Sequence, residues 1–347
     1  MTENSFRPDS LLVRGTNWIG DTVMSLAALR ELRRIFPETH LAVYVKEWVA
    51  WVLRGQGIAD EIISFPDDES GFKNRNKLGR FDAAVLFQNA FRAALLAKIS
   101  GIRERIGYVT DGRSFLLTRK AEPRIKQMGR HQVYYYLDLL YQTGISDIDY
   151  LNTTDFRPDI SITPTVSGLR KAGELLKKEG IQDDSRPLIG INPGAYFGPA
   201  KRWQTDRYGK LADQLNSRHG GDILVFGSSS EKPIAEQIGG HMSKKPVILT
   251  GKTDLETYIA LLSLLRVFVT NDSGPMHLAA ALDIPQVAIF GSTDEIATGP
   301  FSSQATVLHK HVECSPCLLR ECPIDMRCFT SISVEEALEA AEARMDI

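Results

Sequence analysis

The sequence predicts an α/β protein built from two doubly wound halves, and three observations carry that expectation. Short apolar strands alternate with helical segments along the chain, the pattern of parallel sheets covered on both faces. Polar turns rich in Gly, Asn and Asp follow several of those strands, the position at which doubly wound sheets bind ligands. The chain has 347 residues, and at roughly 150 residues per domain that is two domains.

Residues 11–14 read as the first buried strand, running into Gly15-Thr16-Asn17-Trp18-Ile19-Gly20-Asp21. A helix follows, with Val23, Leu26, Ala27, Leu29 and Leu32 at helical spacing and Pro37 beyond its end. Further strands are expected at 41–45, 61–65, 83–87 and 105–107. The Pro-containing stretch 157–165 is the linker candidate. Beyond it come a charged helix (168–179), a strand (188–191), a helix (206–217), a strand (222–226) and a helix from Glu231. The strand 267–270 enters Asn271-Asp272-Ser273-Gly274 and a helix through Leu282, and 285–290 is again strand-like. The expected domains are 1–164 and 165–332, with a final helix in 333–347 available to pack back on the first.

Composition excludes several classes. Apolar residues make up 43% and charged residues 24%, so the chain is neither disordered nor a small disulfide scaffold. A formal net charge of -2 argues against a nucleic-acid coat. No apolar run approaches the roughly 20 residues that span a bilayer, and 1–7 lack a secretory core, so a cytoplasmic protein is expected.

Two nucleotide signatures fail on inspection. Gly251-Lys252-Thr253 lacks the earlier glycine of a P-loop, since position 246 is Pro, and Thr253 with Glu256 reads as a capping box. Gly55-Gln56-Gly57 lacks a third glycine. Three other segments fit ligand chemistry. At Asn271–His277 a helix start offers unpaired N–H groups and a positive dipole end to a diphosphate, with Gly274 permitting close approach and His277 one turn on. The loop from Asn192 through Gly194 to Lys201, Arg202 and Trp203 can set two cations against phosphate oxygens. Asp21 can accept the proton of an attacking hydroxyl, or serve only as a helix-start carboxylate. Residues 101–130 hold eight basic side chains (Arg103, Arg105, Arg113, Arg119, Lys120, Arg124, Lys126, Arg130) against three acidic ones, suited to an anionic acceptor or membrane face.

Taken in order, these segments resemble glycosyltransferase family 9, the bacterial heptosyltransferases. The resemblance rests on Asn17–Asp21, Asn192-Pro193-Gly194 with Gly198–Trp203, Phe226-Gly227-Ser228, Gly251-Lys252-Thr253, Asn271–Gly274 with His277, and Phe290-Gly291-Ser292. Pro275 and Gln204 depart from the commonest family pattern without removing a chemical group. Asn-Trp before Gly-Asp, and the Gly-Pro-Ala-Lys-Arg-Trp run, look like members that add the second inner-core heptose rather than the first. The resemblance implies a GT-B fold, two Rossmann-like domains facing across a cleft, the first binding acceptor and the second the nucleotide sugar. It implies inverting transfer from ADP-heptose to a phosphorylated heptosyl-Kdo-lipid A acceptor at the cytoplasmic face of the inner membrane, without nucleic acid and without a required cofactor. Asp21 would then be the base and Lys201 the leaving-group cation. Gly194, Arg202, Glu231, Asp272, Ser273, Gly274 and His277 would hold the donor, and Asn17, Arg113 and Arg130 the acceptor. Two alternatives stand beside it: a sugar-nucleotide epimerase of the same architecture, and a non-catalytic nucleotide-sugar-binding protein.

All four cysteines, Cys314, Cys317, Cys322 and Cys328, crowd into one stretch spaced Cys-x2-Cys-x4-Cys-x5-Cys. One pair has zinc-ligand spacing and the other gaps are irregular, so a structural zinc site ranks below reduced thiols in a loop.

Overall fold

Strand β1 (Ser10–Arg14) is buried at four successive positions, as expected for a strand covered on both faces. The computed structural model describes residues 6–66, 71–182 and 185–346. The chain divides into two compact units, Met1–Ile160 and Ser161–Ile347, with the boundary inside the expected linker.

In the first unit β1 pairs in parallel with β2 (His40–Lys46) on one side and β4 (Ala83–Leu86) on the other, Leu11 opposite both Leu41 and Ala83. With β3 (Glu61–Phe65), β5 (Glu104–Tyr108) and β6 (Arg119–Ala121) the sheet order is β3-β2-β1-β4-β5-β6. The order reverses between β1 and β4, so the loops after those two strands diverge and leave a crevice at their carboxyl ends. Helix Ile19–Ile35 leaves that crevice and packs on helix Val133–Gln142.

The second unit repeats the plan. Its strands are β7 (Leu188–Asn192), β8 (Asp222–Val225), β9 (Val247–Ile248), β10 (Val267–Asn271), β11 (Gln286–Phe290) and β12 (Ala305–His309), ordered β12-β11-β10-β7-β8-β9. The reversal falls between β7 and β10, which places the Pro193–Trp203 loop and the Asp272–Gly274 turn side by side. Two Rossmann-like sheets are therefore present, as the expected fold class requires. Their edge strands β6, β9 and β12 escaped the sequence reading. β6 and β9 are two- or three-residue edges with no periodicity to detect, and β12 is half-buried throughout.

The final helix, Val334–Met345, starts at a capping box in which Glu336 N–H donates to Ser333 Oγ at 3.1 Å and Ser333 N–H to Glu336 Oε2 at 2.9 Å. Its buried face, Ala337, Leu338, Ala341 and Met345, joins the core of the second unit. It packs on helix Thr205–His219 and strands β10, β11 and β12. That stripe is buried within the second unit, where Leu338→Ala would cost about 2–5 kcal/mol. A correction concerns the helix Leu255–Leu262, whose cap is Asp254 and not Thr253; Asp254 Oδ1 accepts from Thr257 N–H at 2.7 Å. Glu256 is instead buried, accepting from Thr165 Oγ1 at 2.6 Å and Lys171 Nζ at 2.5 Å, which ties the start of helix Val166–Lys178 to its neighbour.

Candidate active site

In the first unit, Asp21 lies in the opening turn of helix Ile19–Ile35, directly after the β1 crevice. Burial pushes its carboxyl above the ordinary Asp value, and the Tyr136 hydroxyl, donating to Oδ1 at 3.4 Å, opposes that rise. Tyr136 was missed by sequence reasoning, although the run Tyr134-Tyr135-Tyr136 on a helix was a visible signal. Its ring is wedged against Phe87 (centroids 5.1 Å apart) and Tyr135 (5.4 Å), which fixes the hydroxyl. Asn17 stands at the same crevice, its Oδ1 accepting from buried Arg14 Nη2 at 2.8 Å. Trp18 beside it is half exposed and packs edge-on against Trp48.

The predicted acceptor arginines separate. Arg113 is fully buried, and its donors are committed to Tyr108 O (2.9 Å), Gln88 O and Asn89 Oδ1 (3.2 Å). Asn89 Nδ2 in turn donates to Tyr135 OH at 2.7 Å. This overturns Arg113 as an acceptor contact: it clamps the loops beneath the Tyr135–Tyr136 pair. Arg130 is half-buried, bound to Leu151 O at 2.6 Å and lying over the Tyr134 ring. Arg105 and Arg124 are likewise spent internally, on Leu116 O and on buried Asp138. Arg103, Lys120 and Lys126 are the exposed members of the basic segment.

In the second unit, Lys201 Nζ meets Asp272 Oδ2 at 2.5 Å, with side chains only 16% and 6% exposed. Thr293 Oγ1 donates to the same oxygen at 2.7 Å, a partner not singled out from sequence. Asp272 thus orients the Lys201 cation. Ser273 is the N-cap of helix Gly274–Ala281 but makes no side-chain cap hydrogen bond, so the first-turn N–H groups lack that partner. His277 is buried one turn along. Asn271 locks this edge together: Nδ2 donates to Pro193 O at 2.7 Å, while Oδ1 accepts from Trp203 N–H at 3.1 Å and Tyr208 OH at 2.8 Å.

Glu231 takes part in a capping box, Oε2 accepting from Ser228 N–H at 2.7 Å. Its other oxygen sits where a side chain on Gly194 would go: an added Cβ would lie 2.0 Å from Oε1. Gly194 is therefore glycine because Glu231 occupies its side-chain space. Arg202 reaches back to Ala195 O at 3.0 Å. Buried Thr250 Oγ1 and Ser292 Oγ have no hydrogen-bond partner among the described residues. Such hydroxyls near a crevice suit a polar ligand. The loop that bears Lys201 is covered by the cysteine-rich segment, where Arg320 O accepts from Ala200 N–H at 3.0 Å and would stand 2.4 Å from a Cβ on Gly198.

The four cysteines are free thiols, Cys314 and Cys317 exposed, Cys322 half-buried and Cys328 buried. The lower-ranked zinc site would need these sulfurs within ligand distance of one another, and among the described residues they form no group within 4.8 Å. Among the described residues, the side chains whose ligand atoms all lie within 4.8 Å of one another are Glu295, His309 and His311. Burial pushes the Cys328 thiol above its ordinary value, and the neighbouring Cys314, Cys322 and Cys317 push it the same way.

Two Rossmann-like sheets, one carrying a raised carboxylate and the other a cation beside a helix start, are an arrangement that an enzyme of the glycosyltransferase class can use. The family model described as glycosyltransferase family 9 (heptosyltransferase) matches residues 72–327. The chain is 31% identical over 310 residues to lipopolysaccharide heptosyltransferase 2 of Salmonella typhimurium, covering 86% of this chain and 87% of that one. It is 32% identical over 317 residues to lipooligosaccharide heptosyltransferase 2 of Haemophilus ducreyi, covering 86% and 88%. Among solved structures it is similar to ADP-heptose lps heptosyltransferase II of E. coli, at 27% identity and a TM-score of 0.82, covering 97% of this chain and 98% of that one. The protein belongs to glycosyltransferase family 9 and is a glycosyltransferase.

Proposed function

We propose that this enzyme transfers heptose, with inversion, from ADP-L-glycero-D-manno-heptose to the first heptose of a phosphorylated heptosyl-Kdo-lipid A acceptor. The observation that carries the reading is Asp21: a carboxylate at the β1 crevice, raised by burial and held by Tyr136, is poised to take a proton. The acceptor oxygen forms a bond to the anomeric carbon as the bond from that carbon to the diphosphate breaks, and Asp21 takes the hydroxyl proton. ADP leaves with the electron pair, and Lys201 with the helix start at Ser273 and Gly274 supplies positive charge to it. Gly194, Arg202, Glu231 and His277 complete the donor side, and Asn17 and Arg130 serve the acceptor side. The reaction so written needs no cofactor.

The relatives named lipopolysaccharide or lipooligosaccharide heptosyltransferase 2 support the choice of acceptor. Among the described residues no helix is long and apolar enough to cross a membrane. A peripheral position at the cytoplasmic face of the inner membrane, with exposed Arg103, Lys120 and Lys126 towards anionic lipid, fits that reading. Mass spectrometry of acceptor incubated with ADP-heptose tests it. One heptose should be added to mono-heptosyl acceptor and none to acceptor lacking heptose, and Asp21→Ala should abolish the addition. Alteration of ADP-heptose without acceptor would favour an epimerase instead.

A further inference from the structure

Glu295, His309 and His311 have no part in the transfer chemistry. Glu295 opens the short helix Glu295–Thr298 after β11, His309 ends β12, and His311 lies two residues beyond. His309 Nδ1 stands 2.7 Å from Glu295 Oε2, with the His309 side chain only 3% exposed, and His311 Nε2 stands 3.4 Å from Glu295 Oε1.

Counting protons around His309 decides what this cluster can hold. Ser315 Oγ donates its single proton to Gly291 O at 2.5 Å. Its contact with His309 Nε2, at 2.9 Å, therefore requires the proton on Nε2. Gly291 O, 3.3 Å from the same nitrogen, is also only an acceptor. A neutral His309 consequently carries its lone pair on Nδ1, facing a carboxylate, and that buried nitrogen has no hydrogen-bond partner among the described residues. Two lone pairs opposed this closely repel unless positive charge lies between them. An imidazole that gives its N–H to a carbonyl or hydroxyl and its lone pair outward has the arrangement of a metal ligand, with the outer groups fixing the tautomer.

We propose that Glu295, His309 and His311 form a binding site for a divalent transition cation of the zinc type, oriented by Ser315 and Gly291 O. Two imidazoles and a carboxylate suit zinc or ferrous iron better than magnesium or calcium, and three protein ligands leave a fourth position for water. Ligand bonds of about 2.0–2.2 Å need the Nδ1 and Oε2 atoms to part slightly, which a small rotation of half-buried Glu295 provides. The ion would tie the segment after β11 to the segment after β12. Thr293, which donates to Asp272, lies in the first of these.

The test is zinc titration by calorimetry, with metal analysis after gel filtration of the full chain. Wild type should retain about one zinc per chain, and Ser315→Ala should weaken affinity by roughly 10- to 100-fold. Glu295→Gln and His309→Ala should weaken it further. His311→Ala guards against misfolding, because that side chain is 72% exposed and its loss should lower affinity with the circular dichroism unchanged. A variant with Cys314, Cys317 and Cys322 changed to Ser should still bind zinc. Zinc lost with the cysteines but kept by His309→Ala would overturn the assignment. So would a wild type that retains no zinc, which would leave an imidazolium–carboxylate pair only.

Discussion

Tyr136 donates its hydroxyl to Asp21 Oδ1 at 3.4 Å, joining the helix Val133–Gln142 to the first turn of Ile19–Ile35. The contact favours the ionised carboxylate, whereas burial disfavours it. In Tyr136→Phe the opposing hydrogen bond is gone, so the Asp21 pKa should rise further. The acidic limb of the kcat/KM pH profile should move to higher pH, with less than about a tenfold loss on the plateau. An unmoved limb would separate Tyr136 from the base.

Asp21→Asn should cost about 10²–10⁴ in kcat while ADP binding persists. The same change should raise thermal stability at neutral pH. A carboxyl whose folded pKa is raised is cheapest to bury when protonated, below the unfolded value. That advantage is lost as pH rises through the folded value, so replacing the carboxylate helps above it. The gain in Tm should shrink as pH falls through the raised folded value and be gone below the ordinary Asp value of 3.8. Melting curves across pH would show it.

Lys201→Ala removes a cation from the donor side and leaves Asp272, 6% exposed, with Thr293 as its remaining partner. Turnover should fall by about 10²–10³ and the donor KM should rise. Stability should drop by about 2–3 kcal/mol, below the full cost of breaking a buried pair because Lys201 keeps some solvent contact. Asp272→Asn in the Lys201→Ala background should recover the stability without the activity.

Gly194→Ala would drive a methyl into Glu231 Oε1, which lies at the movable end of its side chain. The protein should therefore fold, with Glu231 displaced from Ser228 and ADP affinity reduced about tenfold. Calorimetric titration with ADP reads this directly, and unchanged affinity would remove Glu231 from the nucleotide site.

Arg113→Ala should behave as a stability variant. It strips the partners from Gln88 O, Tyr108 O and Asn89 at a buried position, at a cost of about 3 kcal/mol or more. Folded enzyme that remains should keep its acceptor KM. A large KM effect with normal stability would restore Arg113 to the acceptor site.

Much of this architecture was legible because its central strands are continuous apolar runs and its ligand loops follow them. Asp21, Lys201 and Asp272 could be named from their places in those loops. The tyrosine run 134–136 was visible, but its pairing with Asp21 was not, since Tyr136 arrives from another helix through tertiary packing. Arg113 was misjudged because sequence shows charge and hides burial: a guanidinium that saturates three carbonyl-type acceptors looks the same in a string as one facing solvent. The cysteines drew attention by spacing, yet spacing does not fix convergence of sulfurs. His309 and Glu295 carry no spacing signal, because β11 and β12 bring them together only by pairing in register.

The Asn271 side chain has a kinetic consequence. By bonding Pro193 O, Trp203 N–H and Tyr208 OH from the end of the central strand β10, it makes the Pro193–Trp203 segment a cooperative part of the sheet rather than an independent loop. In amide hydrogen exchange the Trp203 N–H should then open with the whole second unit, as core strands do. Lys201 would hold its place before any ligand arrives, and the ordering cost of donor binding would have been met during folding.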